Sequence, residues 1–80
     1  MRTEKRKKHR YLVLTFRTTT EAMTMETYCM DHGIPGRMIP VPREISSGCG
    51  MCWRTLESDR SILEEHLPNL TYENLYSIEQ

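Results

Sequence analysis

No apolar run in this sequence approaches the roughly 18 residues needed to cross a bilayer, and its basic start is not followed by a hydrophobic stretch. Neither a membrane span nor a signal peptide is therefore expected, and the chain reads as cytoplasmic with no membrane partner. Cysteine is scarce and odd in number: Cys29, Cys49 and Cys52 are too few for a disulfide scaffold. In a reducing compartment they are thiols, metal ligands or redox groups. Aromatic residues are few, with one tryptophan and one phenylalanine. No Ser/His/Asp arrangement, phosphate loop or paired carboxylates can be located. That lack points to a carrier or accessory protein and away from a stand-alone enzyme, and no cofactor is implied.

What remains is one small unit. Eighty residues suffice for a single domain, with a thin core because a chain this short buries only about 60–65% of its unfolded surface. The net charge of zero conceals an asymmetry. Residues 1–10 carry six basic side chains against Glu4, a net of +5, so the other seventy carry −5. Residues 1–10 are read as a basic, flexible arm and 11–80 as the domain. Such an arm can meet nucleic acid or an acidic partner, or can simply be a solvated, frayed terminus.

Along the domain the hydrophobic period changes several times. Tyr11–Phe16 is a nearly continuous run rich in β-formers, which predicts a central strand. Thr18 with Glu21 three residues later is a capping-box pattern, so a helix should begin there. Ala22, Met23, Met25, Cys29 and Met30 should supply its apolar side, and Gly33 should end it. Cys29 on that side is a small buried hydrophobe. Arg37–Val41 predicts a second strand, interrupted by Pro40 and Pro42, and Met51–Leu56 a third. Ser58 can cap a second helix running to Leu67 and stopped by Pro68. Tyr72–Ile78 suggests a last strand. The order βαββαβ predicts an α+β, ferredoxin-like sandwich with two helices on one face of a four-stranded antiparallel sheet.

The segment Pro42-Arg43-Glu44-Ile45-Ser46-Ser47-Gly48-Cys49-Gly50 carries the chemistry. Gly48 and Gly50 flank a cysteine, so the backbone can reach positive φ and bring its N–H groups close to an anion. Ser46 and Ser47 can donate to the same anion. A thiol in that setting, with Arg43 or Arg54 near, would gain thiolate character. A glycine-rich turn that merely contains a cysteine is the plain alternative. Cys49-Gly50-Met51-Cys52 is also a CxxC pattern, and Cys52 is then either a resolving thiol or a core residue. Zinc fits poorly: no second CxxC exists, and no histidine follows His66 at ligand spacing. His9 and His32 stand apart, so no metal site is assigned. If Cys52 faces the helices, Trp53 must face the other way, either as a docking or homodimer surface or as a partly covered sheet residue.

The stretches Phe16–Met23 and Arg37–Gly50 resemble a family of small bacterial domains described as selenium/sulfur-carrier-like. The resemblance spans about residues 11–67. It implies that Cys49 is the carrier thiol and that Arg43 and the Ser/Gly loop form its setting. Three readings follow. In the first, Cys49 accepts a persulfide or selenopersulfide from a donor protein and passes it to an acceptor protein. In the second, Cys49 and Cys52 form a thiol-disulfide switch. In the third, the domain and its arm are a non-catalytic binding module. Against nucleic acid as a partner stand the acidic body and the poor stacking platform that Trp53 alone would offer.

Overall fold

The computed structural model describes residues 8–80, so the basic arm expected over residues 1–10 lies, up to residue 7, outside the described residues. Strand β1 (Arg10–Thr15) leads into helix α1 (Thr19–His32), then strands β2 (Arg37–Pro40) and β3 (Met51–Leu56), helix α2 (Arg60–His66) and strand β4 (Asn74–Glu79). The sheet order is β2-β3-β1-β4 and every pairing is antiparallel. This is the expected ferredoxin-like βαββαβ arrangement, with β1 and β3 central.

The start of α1 follows from its side chains. Thr18 takes an extended backbone and its Oγ1 accepts from Glu21 N at 3.1 Å, an N-cap contact worth about 1 kcal/mol. Glu21 reaches back and accepts from Arg17 N at 3.0 Å. At the other end Gly33 adopts φ 66°, a left-handed cap that leaves its N–H on Cys29 O. Ala22, Met25 and Cys29 are buried, but Met23 and Met30 are exposed, Met30 to 75%. Three- and four-residue spacings from Ala22 select one stripe, and Met23 and Met30 stand about 100° of helix rotation off it.

Helix α2 is shorter than the sequence suggests. Glu57–Asp59 form a 3₁₀ turn, and Asp59 precedes the helix without a side-chain cap, so Ser58 does not cap it. Leu67 and Pro68 belong to a second 3₁₀ turn. Leu63 is the buried anchor of α2. Tyr28 Oη and His66 Nδ1 share a hydrogen bond of 2.9 Å that ties α2 to α1.

The sheet separates two apolar clusters. Under the helices lie Leu12, Leu14, Phe16, Ala22, Met25, Cys29, Ile34, Trp53 and Leu63. On the opposite side lie Val13, Ile45 and Cys52, flanked by Ile39, Val41, Tyr76 and Ile78. The conditional placement of Trp53 on the open side is therefore corrected. It is 4% exposed within the helix-side core, and its Nε1 donates to Thr55 Oγ1 at 2.9 Å. Thr55 in turn donates to Pro35 O at 3.0 Å, so the buried indole N–H costs nothing in lost hydrogen bonding. Gly36, at φ 137°, permits this packing, because a Cβ there would meet Arg54 O at 2.5 Å and Trp53 Nε1 at 2.6 Å.

Candidate functional site

The chain between β2 and β3 is a loop held at both ends and in the middle. Val41 N donates to Gly50 O at 3.0 Å, which closes it, and Ile45 N donates to Pro42 O at 3.0 Å, which forms a turn through Arg43 and Glu44. Ile45 then folds onto Val13 and Cys52. Past it, the loop returns to the junction of β1 and α1. Cys49 N donates to Phe16 O at 3.3 Å, and Ser47 Oγ lies 3.2 Å from the same oxygen and 3.1 Å from Met51 O. One hydroxyl proton serves one of these carbonyls at a time.

The two flanking glycines have different reasons. A Cβ on Gly48 would sit 2.5 Å from Arg17 O and 3.0 Å from Arg17 Cα, so only glycine lets the loop lie against this junction. Gly50 has open space around it but adopts φ 79°, which costs an L-residue about 1–2 kcal/mol.

Cys49 is half-buried, packs against the helix-side cluster, and its Sγ is 3.6 Å from Met51 O and 3.9 Å from Ser47 Oγ. In the thiol form the S–H donates to Met51 O. The loop also rests on Phe16 and Arg17, just before the first turn of α1. Beside Met51 opens a cleft of about 390 Å³, lined by Thr19, Ala22, Met23, Glu26, Met38 and Met51. Neither the Phe16–Arg17 staple nor this methionine wall was read from the sequence. The apolar residues Met38 and Met51 at strand ends were the available signal.

The other expected site residues are spread out. Ser46 and Arg43 are exposed on the loop. The Cys49 N–H is spent on Phe16 O, so it does not join an anion-binding concavity. Arg54 lies on the side of the sheet away from the helices, with its guanidinium carbon 4.3 Å from the Tyr11 ring centre and Nη1 donating to Gln80 Oε1 at 3.0 Å. Its pull lowers the Cys52 thiol, but burial outweighs that pull, and Cys49 adds a smaller upward push. The Cys52 thiol is raised to about 11. Burial alone pushes Cys29 up to about 11. All three cysteines are free, and Cys52 is fully buried. Among the described residues, no group of three or more His, Cys, Asp or Glu is placed to hold a metal ion, and no helix is long and apolar enough to cross a membrane.

No curated protein and no solved structure matches this chain. The model of one family, described as "Putative Se/S carrier protein-like", matches residues 11–77, and the chain belongs to that family.

Proposed function

We propose that the chain carries sulfur or selenium on Cys49 Sγ, between a donor protein and an acceptor protein. The observation that carries this reading is the contrast among the thiols: Cys49 is half-buried in a glycine-flanked loop, whereas Cys29 and Cys52 are sealed. Membership of a family with this description supports it. So does the size of the domain, which suits a transfer module better than a stand-alone enzyme. Three free thiols fit a reducing, cytoplasmic setting.

The transfer begins when the Cys49 thiol loses its proton to solvent. Ser47 Oγ, 3.9 Å away, then turns its O–H from a carbonyl towards the thiolate and orients it. Cys49 Sγ attacks the outer sulfur of a donor persulfide. The new S–S bond forms as the donor's S–S bond breaks, and the donor cysteine leaves as a thiolate. An acceptor thiolate reverses the exchange and restores Cys49. With selenium as cargo, the same displacement leaves a selenopersulfide on Cys49. Donor and acceptor loops can seat in the methionine-lined cleft, since thioethers give an adaptable apolar surface. Ser46, Gly48 and Gly50 shape the loop, and Arg43 offers an exposed cation to the same partners.

Intact-mass analysis after incubation with a cysteine desulfurase and cysteine tests this. A gain of one sulfur that disappears in Cys49→Ser and persists in Cys52→Ser is the expected result. Sulfur loading that survives Cys49→Ser sinks the reading. A species two hydrogens lighter, with no added sulfur, would instead make Cys49 and Cys52 a disulfide switch.

A further inference from the structure

The side of the sheet turned away from the helices has a charge pattern that the thiol does not use. Register places Arg37 directly opposite Arg54, Arg54 opposite Val13, and Val13 opposite Tyr76, in one row across all four strands. The next row is Leu56, Tyr11 and Ile78. Among the strand residues on this side the only charges are the two arginines. Like charges directly opposite each other destabilise a sheet, and an anion bound between the two would offset that. Most carboxylates lie off this face, with Glu21, Glu26 and Asp31 on α1 and Glu57, Glu64 and Glu65 around α2, while Glu44 precedes Ile45 on the loop that folds over it.

A groove of about 250 Å³ opens here, lined by Tyr11, Gly36, Arg37, Arg54, Leu56 and Asp59. The Arg54 guanidinium lies over the Tyr11 ring at 4.3 Å, and Tyr76 lies across Val13 in the same face. His9 and Gln80 exchange backbone hydrogen bonds at 2.8 and 2.9 Å, and Gln80 Oε1 also accepts from Arg54. The described chain thus enters β1 through His9, next to the Gln80 side chain that holds Arg54.

We propose that this face, centred on Arg37, Arg54 and Tyr11, binds single-stranded RNA. Guanidinium groups pair with phosphodiesters in bidentate fashion, and tyrosines on a β-sheet are stacking surfaces for unpaired bases. Two premises argued against nucleic acid, an acidic body and a sheet whose aromatic surface was Trp53 alone; the carboxylates of the first are not among the strand residues of this face, and the second does not hold. Trp53 is inside the core, and on the opposite face Tyr11 and Tyr76 are half-exposed, flanking the part of the sheet that Ile45 covers. Asp59, the one carboxylate lining the groove, repels phosphate but accepts from a ribose 2′-hydroxyl, which favours RNA over DNA. A second copy of this chain packed face to face on a two-fold axis through the arginine pair would oppose arginines to arginines. An acidic peptide would pair with the arginines and leave the tyrosines without a role. RNA binding here does not depend on the role of Cys49.

Fluorescence anisotropy of the full chain with a labelled mixed-sequence RNA of about a dozen nucleotides, at about 50 mM salt, provides the test. Saturable binding is expected. The double substitution Arg37→Gln/Arg54→Gln should weaken it at least about tenfold and reduce the slope of log affinity against log salt by about 1.4. Tyr11→Leu should weaken it roughly fivefold, as lost stacking does. Arg37→Gln alone, at an exposed edge position, keeps the test valid if the double variant does not fold. The proposal is overturned if no binding is seen up to about 100 µM, or if affinity is indifferent to both arginines. Equal competition by DNA of the same sequence or by polyglutamate would overturn it too, as would a dimer in solution that excludes RNA.

Discussion

Cys49 and Cys52 stand on opposite sides of one sheet. Cys49 packs towards the helix-side cluster and is half-buried; Cys52, three residues on, is sealed beneath Ile45 against Val13. Alternation within β3 turns Cys52 away from the helices, opposite to Met51 and Trp53, whereas Cys49 lies before the strand, in the loop that its N–H fastens to Phe16 O and that Gly50 turns at φ 79°.

One consequence is selective alkylation. Iodoacetamide at about pH 8, near the ordinary thiol range, should modify the native protein once, at Cys49. In denaturant it should modify it three times. Mass spectrometry of the two samples reads this directly, and rapid modification of native Cys52 would contradict the packing.

Alkaline stability provides a second check. Cys29 and Cys52 are raised to about 11 from an ordinary value of 9.0. In the window between these values the unfolded chain has already released protons that the folded chain retains. Stability must therefore be intact below about pH 9 and fall as pH rises towards 11. Thermal melts across that window should show the fall, and Cys52→Ala should make it shallower, even though the variant starts from a lower Tm.

The two glycines beside Cys49 should respond unequally. Gly48→Ala places a methyl 2.5 Å from Arg17 O, and should cost about 2–3 kcal/mol or detach the loop, because both sides of the clash are backbone. Gly50→Ala meets no atom within 4 Å and should cost only the positive φ, about 1–2 kcal/mol. Urea denaturation of both variants separates the two cases.

Ser47→Ala removes the hydroxyl that Phe16 O and Met51 O share. The expected stability loss is about 1 kcal/mol. Sulfur loading of Cys49 should slow while its endpoint is retained, and Ser47→Thr should recover part of the rate. Time-resolved intact mass distinguishes a slowed rate from a lowered endpoint.

Much of this was legible in the sequence because local chemistry dictated it. The Tyr11–Phe16 run, the Thr18/Glu21 cap and the Gly33 stop needed no tertiary context, and the glycine-flanked cysteine marked the loop. The side on which β3 presents each residue was not legible. Met51, Trp53 and Thr55 form one set and Cys52, Arg54 and Leu56 the other, and each set has two apolar residues of three. What decides between them is pairing with β1 and the return of Ile45 over Cys52, which no window of sequence contains. Ser58 failed as a cap because the chain leaves β3 through a 3₁₀ turn, with Asp59 preceding the helix. The Phe16 carbonyl that anchors Ser47 and Cys49 is a backbone group, and composition is blind to it.

Trp53 gives the protein a built-in optical gauge. It is the chain's one tryptophan, buried with its indole N–H fixed to Thr55, on the side of the sheet turned away from the arginine face. Its emission therefore tracks the integrity of the helix-side core, whereas RNA arriving at Arg37 and Arg54 meets the opposite side. A variant that loses a function with unchanged tryptophan emission has lost the function itself, and one whose emission shifts to the red has first lost its fold.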